Sequence, residues 1–266
     1  MSGLVWSFAA LGLLAVLGLA ALVLRSRRHS RQLEQLLGVA DDKLEDLQRQ
    51  FERFVPADVV ERLTDEGTPF APERRQVTML FADLRGFTAL CDRLDPDITV
   101  GLLNDYFRHM TLAIGRHHGH VTEFVGDGLL ALFGALEPNP WQARDAVLAA
   151  LEMRAELARY NAALRAKGLP ELRFGIGIHG GEVVAGVMGT PGLSKFSVTG
   201  DPINVASRVE GLTAKYEVDL LITEEIRRTL DGRFGVRAMP PALVKGKTEP
   251  IQTYYVESVS GLPAQR

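Results

Sequence analysis

The sequence predicts an α+β sandwich with the β-α-β-β-α-β order of the ferredoxin-like fold, and three observations predict it. Strand-like and helix-like patterns alternate from Val77 onward. Two strands, within His120 to Gly134, stand together as a hairpin between two long helical patterns. That hairpin breaks the strict alternation of a Rossmann sheet, which leaves two split β-α-β halves.

Each element has its own signal. "VTMLFADL" (77–84) is a β-rich apolar run, and Phe87 to about Arg93 reads as a short helix. "DITVGLLNDYFRHMTLAIGRH" carries apolar residues at helical spacing, and "HVTEFVGDGLLALFG" is the hairpin. "PWQARDAVLAALEMRAELARYNAAL" is a long helix with a proline near its start and Gly168 just past its end. "RFGIGIHGGEVVAGVMG" predicts two further strands. Asp201 and Pro202 suit the N-cap and first position of a helix running to about Thr213. Short strands follow near Asp219–Ile222, Phe234–Met239 and Thr253–Val256.

Length and composition bound the rest. The chain has 266 residues, 46% hydrophobic, which is room for one sizeable domain with extra segments. A net charge of −3 argues against a nucleic-acid partner, which a basic surface would attract. Cys91 is the sole cysteine, so no disulfide forms within the chain and a reducing compartment fits.

The extra segments precede the domain. Gly3 to Leu24 carries no charge, and about 20 apolar residues cross a bilayer, so residues 1–24 are expected to form a transmembrane helix. Arg25, Arg27, Arg28 and Arg31 follow it, which predicts a single-pass protein of the cell inner membrane or plasma membrane with its globular domain in the cytoplasm. A cleaved signal peptide would have a basic start and a shorter apolar core. Leu33, Leu37, Ala40, Leu44, Leu47, Phe51 and Phe54 alternate steps of four and three, the seam of a coiled coil pairing two chains within residues 25–64. An amphipathic helix packed on its own domain is the alternative. Residues 65–76 read as a linker, 77–258 as the globular domain and 259–266 as a flexible tail.

Several motifs fail on context. Gly175, Gly177 and Gly180 match G-x-G-x-x-G by letters, but a strand continues where a helix should start, so they mark close backbone packing or a bulge. His117, His118 and His120 lack the companions of a metal site. Asp83, by contrast, sits in a strand of the kind that depletes aspartate, and Asp127 lies in the hairpin turn. Asp-Gly turn chemistry alone accounts for Asp127. If the two meet at one sheet end, they form a hard-oxygen site for Mg²⁺ or Mn²⁺, ions that take further ligands from phosphate and water. Asn204 and Arg208, four apart on one helix face, suit phosphate and ribose, and Lys245 or Lys247 suits a polyphosphate.

"FADLRGFT", "EFVGDGLLALFG", "GIGIHGGEVVAG", "TGDPINVASRVEG" and "VKGKTEPIQTYYV" stand in the order and approximate spacing of the class III adenylate/guanylate cyclase catalytic domain, which the chain resembles from about Gln76 to Ser258. The resemblance implies that Asp83 and Asp127, with the Leu84 carbonyl, hold two Mg²⁺ or Mn²⁺ ions. It implies that Asn204 and Arg208 orient the ribose and stabilise the reacting phosphate. Lys245 matches the lysine that contacts the terminal phosphates, with Lys247 two residues beyond it. In the family, metals come from one chain and the Asn/Arg pair from the other, so the site exists in a homodimer. The implied reaction is attack of the ribose 3′-oxygen on the α-phosphorus with release of pyrophosphate.

By the same resemblance Glu123 and Ser197 face the purine. Adenylate cyclases commonly place lysine at the first position and Asp or Thr at the second; guanylate cyclases place Glu first and often Cys second. A carboxylate accepts from the N1–H and N2–H₂ of guanine, and a serine hydroxyl donates to O6. Glu123 with Ser197 therefore favours GTP and cyclic GMP, with adenylate cyclase acting on ATP as the alternative and a catalytically weak nucleotide-binding signalling module as the second. One departure stands out: many members carry an arginine where this chain has Gly175.

Overall fold

The computed structural model describes residues 72–190 and 193–260. Eight strands form one sheet: β1 (Glu73–Leu84), β2 (Gly119–Val125), β3 (Gly128–Phe133), β4 (Phe174–Thr190), β5 (Leu193–Thr199), β6 (Leu220–Thr223), β7 (Phe234–Ala238) and β8 (Thr253–Val259). The helices are α1 (Phe87–Cys91), α2 (Pro96–Gly115), α3 (Gln142–Ala166), α4 (Asp201–Lys215) and α5 (Glu224–Arg227). The strand order is β2-β3-β1-β4-β6-β8-β7, with β5 paired to β4. Its first four strands are antiparallel neighbours in the order of the expected sandwich, and β6, β8 and β7 extend the sheet beyond β4.

Alternation along the strands divides the burial. Leu80, Ala82 and Leu84 of β1, Ile176 and Ile178 of β4, and Leu220 and Ile222 of β6 join Tyr106, Met110, Ile114, Met153 and Leu157 of α2 and α3 in the main core. Leu221 points the other way and packs with Val205 and Val209 of α4. Thus α2 and α3 cover one face of the sheet and α4 packs against the other. The helix ends follow local chemistry. Asp95 accepts from the Asp97 N–H ahead of Pro96, and Gly168, at φ 69°, follows the end of α3.

Four boundaries differ from the sequence reading. "RFGIGIHGGEVVAGVMG" is one continuous strand, β4, and its outer half pairs with β5, a strand the sequence reading missed. The Gly180–Gly181 pair is no turn: a Cβ on Gly181 would lie 2.6 Å from the Pro202 ring, so glycine there admits the start of α4. β1 begins at Glu73, inside the stretch read as linker (65–76), because its charges are used in pairing. Arg74 bridges Glu182 at 2.6 Å, and the Arg75 guanidinium donates to the Ala135 and Leu136 carbonyls. α4 is capped by Gly200 rather than Asp201. At the other end β8 reaches Val259, and the Ser260 N–H donates to the Arg233 carbonyl.

Among the described residues no helix is long and apolar enough to cross a membrane. The apolar run of residues 1–24 and the seam of residues 25–64 lie outside the described residues.

Candidate active site

Asp83 and Asp127 come together where β1 and β3 meet. Ala82 pairs with Leu129, which sets Asp83 opposite Gly128, and a Cβ there would lie 3.0 Å from Asp83 Oδ1. The turn joining β2 to β3 is Gly126–Asp127, and its positive φ, 62°, falls on Gly126. Glycine therefore meets the turn's backbone demand and the Asp127 carboxylate is left over from it. Burial and then the charge of Asp127 push the Asp83 carboxyl above the usual range, against a hydrogen bond from Leu84 and the charge of Arg85. Leu84 ends β1 directly beside this pair.

The donor set fits a hard divalent cation. Among the described residues no three His, Cys, Asp or Glu side chains converge as a closed metal site. Two carboxylates and a neighbouring backbone carbonyl leave the remaining positions to phosphate and water, the habit of Mg²⁺ and Mn²⁺.

Glu123 and Ser197, the residues expected to face the purine, gather on another part of the sheet. A bulge between Val121 and Glu123 shifts β2 and sets Glu123 opposite Leu130. There its carboxylate receives a 2.7 Å salt bridge from Lys195 Nζ on β5. Lys195 and Ser197 are two apart on β5 and so share a face. The structure thus brings Glu123 and Ser197 to one locality and adds Lys195, which sequence reasoning missed because β5 was not recognised as a strand.

Asn204 and Arg208 lie on the first turns of α4. The Arg208 guanidinium reaches the Lys245–Lys247 turn: a Cβ on Gly246, at φ 77°, would be 3.4 Å from its Nη1. Lys247 Nζ is bound to the Asp201 carboxylate at 2.5 Å, which pulls that acid below its ordinary value. Lys245 is exposed and makes no ion pair among the described residues. The geometry therefore separates the two lysines that the sequence left together: Lys247 is spent on Asp201, and Lys245 is free for a ligand.

Gly177 and Gly175 explain how α4 comes so close. A Cβ on Gly177 would collide with the Glu210 backbone, and one on Gly175 would meet Thr213 Oγ1, Glu210 Oε1 and Arg85 Nη2. No arginine fits at 175 because Glu210 and Arg85 fill the place. The Arg85 guanidinium is held there by the Phe174 and Val218 carbonyls at 3.2 and 2.7 Å. Burial, then Asp83, raise the Glu210 carboxyl to about 7, with Asp127 adding to the rise and Arg85 opposing it. Neither Glu210 nor Tyr106, buried below, carried a sequence signal: one lies in "SRVEG" two residues past Arg208, and the other sits on the apolar stripe of α2.

The family model for the adenylate and guanylate cyclase catalytic domain matches residues 70–258. An adenylate cyclase of Anabaena cylindrica is 34% identical over 238 residues, which are 85% of this chain and 46% of that protein. The chain therefore spans under half the length of this relative. Among solved structures, the adenylyl cyclase CyaB from P. aeruginosa has a TM-score of 0.69 at 28% identity, covering 73% of this chain and 100% of its own. The guanylyl cyclase Cya2 has a TM-score of 0.65 at 35% identity, covering 74% and 98%. With its fold, its two meeting aspartates and these matches in agreement, the chain belongs to the adenylate and guanylate cyclase catalytic-domain family.

Proposed function

We propose that the chain is a purine nucleotidyl cyclase that converts GTP to 3′,5′-cyclic GMP and pyrophosphate at the interface of a homodimer. The observation that carries the reading is the convergence of Asp83 and Asp127 at one sheet end, with the charge of Asp127 acting on Asp83 and both acting on Glu210. Asp83, Asp127 and the Leu84 carbonyl would hold two Mg²⁺ or Mn²⁺ ions, which when bound acidify the ribose hydroxyl and neutralise phosphate charge. Asn204 orients the ribose, Arg208 donates to the phosphate as negative charge builds, and Lys245 binds the terminal phosphates.

Two features favour a second copy. Arg208 acts on Asp201 and sits at Gly246, whereas the cation acting on Asp83 is Arg85, so the basic and acidic groups form separate half-sites within one chain. Large apolar side chains stand exposed beside both: Phe124 and Val125 near Asp127, and Leu243 near Lys245. A second copy that covered them would bring the half-sites face to face.

Glu123 supports guanine because a carboxylate accepts from N1–H and N2–H₂, and the Lys195 ammonium keeps that carboxylate in place. The same ammonium favours a second reading, adenylate cyclase, since the N1 of adenine is an acceptor for such a donor. Metal-dependent pyrophosphate release, measured with GTP and ATP side by side, tests both. We expect turnover to need Mn²⁺ or Mg²⁺ and to fall at least about a hundredfold in Asp83→Ala. Glu123→Lys with Ser197→Asp should move preference toward ATP. An unsubstituted chain that prefers ATP would refute the guanine account, and a folded dimer without turnover would leave a nucleotide-binding signalling module.

Membrane attachment through residues 1–24, with the catalytic domain in the cytoplasm, belongs to the same proposal. Cell fractionation is the check: the full chain should sediment with membranes, and a chain lacking those residues should not.

A further inference from the structure

Asp83 has a cross-strand neighbour on each side, and both are glycines. On β3 it is Gly128, whose missing side chain leaves room for the Asp83 carboxylate. On β4 it is Gly175, and there the room is taken from α4: a Cβ would lie 2.6 Å from Glu210 Oε1 and 3.1 Å from Arg85 Nη2. Directly opposed residues of antiparallel strands project on the same face, about 5 Å apart. The Glu210 carboxyl therefore occupies the place of Asp83's missing neighbour. Asp127 in the turn before β3, Asp83 on β1 and Glu210 of α4, lying over β4, form a row of three carboxylates, offset by the guanidinium of Arg85.

A second observation shows how far the charge of that row reaches. Tyr106 is fully buried on the α2 side of the sheet, and its hydroxyl has no hydrogen-bond partner among the described residues. Burial first, and then the charges of Asp83, Asp127 and Glu210, hold that hydroxyl protonated. A row of acids with surplus negative charge, and a protonated hydroxyl within its field, is an arrangement that a hydrated cation would complete.

We propose that Glu210 is a positioning residue of the metal centre, accepting a hydrogen bond from a water ligand of an ion held by Asp83 and Asp127. This rests on the reading of Asp83 and Asp127 as metal-binding. No closed set of three protein ligands is present among the described residues, so Glu210 acts through water rather than on the ion itself. Arg85, anchored on two carbonyls, keeps Glu210 from swinging toward Asp83 when no ion is bound.

The test is Mn²⁺ binding by the full chain without nucleotide, followed by the electron paramagnetic resonance of free Mn²⁺ and by the shift in melting temperature on adding the ion. Glu210→Gln keeps the shape and removes the charge; we expect Mn²⁺ affinity to fall about tenfold, the usual cost of losing an outer-shell partner. Glu210→Asp, which keeps the charge and shortens its reach, should weaken binding by a smaller factor, about threefold. Without metal, Glu210→Gln should melt at the parent temperature or above it, since a like charge is gone; a merely structural role would lower that temperature and leave affinity unchanged. If Glu210→Gln does not fold, Glu210→Asp decides the matter by the same titration. Parental Mn²⁺ affinity in both variants, with binding lost in Asp83→Asn, overturns the inference alone. Parental affinity in Asp83→Asn as well overturns the metal-site reading and this inference with it.

Discussion

Asp83 faces Asp127 on one side and Glu210 on the other, and that crowding has a pH signature. Burial and neighbouring acids raise the Glu210 carboxyl from its ordinary value of 4.5 to about 7. A carboxyl whose folded-state pKa is raised lends its stability below the unfolded value and loses it as pH climbs through the folded value. The metal-free protein should therefore lose stability relative to Glu210→Gln as pH rises from about 4.5 to about 7, with a constant gap above that. Melting curves at a series of pH values, in the presence of a chelator, check this; a gap that widens toward low pH would contradict it. Lys195 makes a different residue-level prediction. Lys195→Ala frees the Glu123 carboxylate, and discrimination between GTP and ATP should shrink by about tenfold, the worth of one charge-assisted hydrogen bond. Asp83 was legible in the sequence because strands deplete aspartate, whereas Asp127, which turn chemistry alone explains, stood out only when paired with Asp83. Lys195 and Glu210 violate no local rule, since a lysine in a strand or a glutamate in a helix is ordinary until the fold shows what it meets.

At the scale of elements, the site depends on how closely α4 lies on β4. Glycines at 175, 177 and 181 remove three side chains from the contact, and at 177 the facing atoms are the α4 backbone around Glu210. No rotamer change relieves a clash with backbone, so Gly177→Ala should destabilise by more than about 3 kcal/mol, whereas Gly181→Ala, which meets the Pro202 ring, should cost less. Urea melts of the two variants measure the difference. The close-packing role of these glycines was readable from "GIGIHGG", because a strand continued where a dinucleotide-binding helix should begin. The continuity of β4 was not. A Gly-Gly pair at 180–181 resembles a turn in the sequence, and only the packing of Pro202 against it shows why glycine is needed in a strand. The hairpin carried a similar ambiguity: Asp-Gly looked sufficient for the turn, yet the turn residues are Gly126 and Asp127.

For the molecule as a whole, the proposed function divides each chain into two half-sites. The acidic one would be Asp83 and Asp127 at the β1–β3 end, and the other Asn204, Arg208 and Lys245 around the Gly246 turn. The alternating pattern, the caps and the hairpin made the sandwich itself legible. The separation of the half-sites was expected only from the family resemblance, because sequence order by itself says nothing of which groups act on one another. Mixing two inactive chains tests this arrangement most directly. Asp83→Ala and Arg208→Ala should each be inactive alone. Combined in equal amounts under conditions that let subunits exchange, they should regain about a quarter of the unsubstituted turnover, since half of the dimers then hold one intact site of two. A mixture as inactive as its parts, with subunit exchange verified, would contradict a site shared between copies.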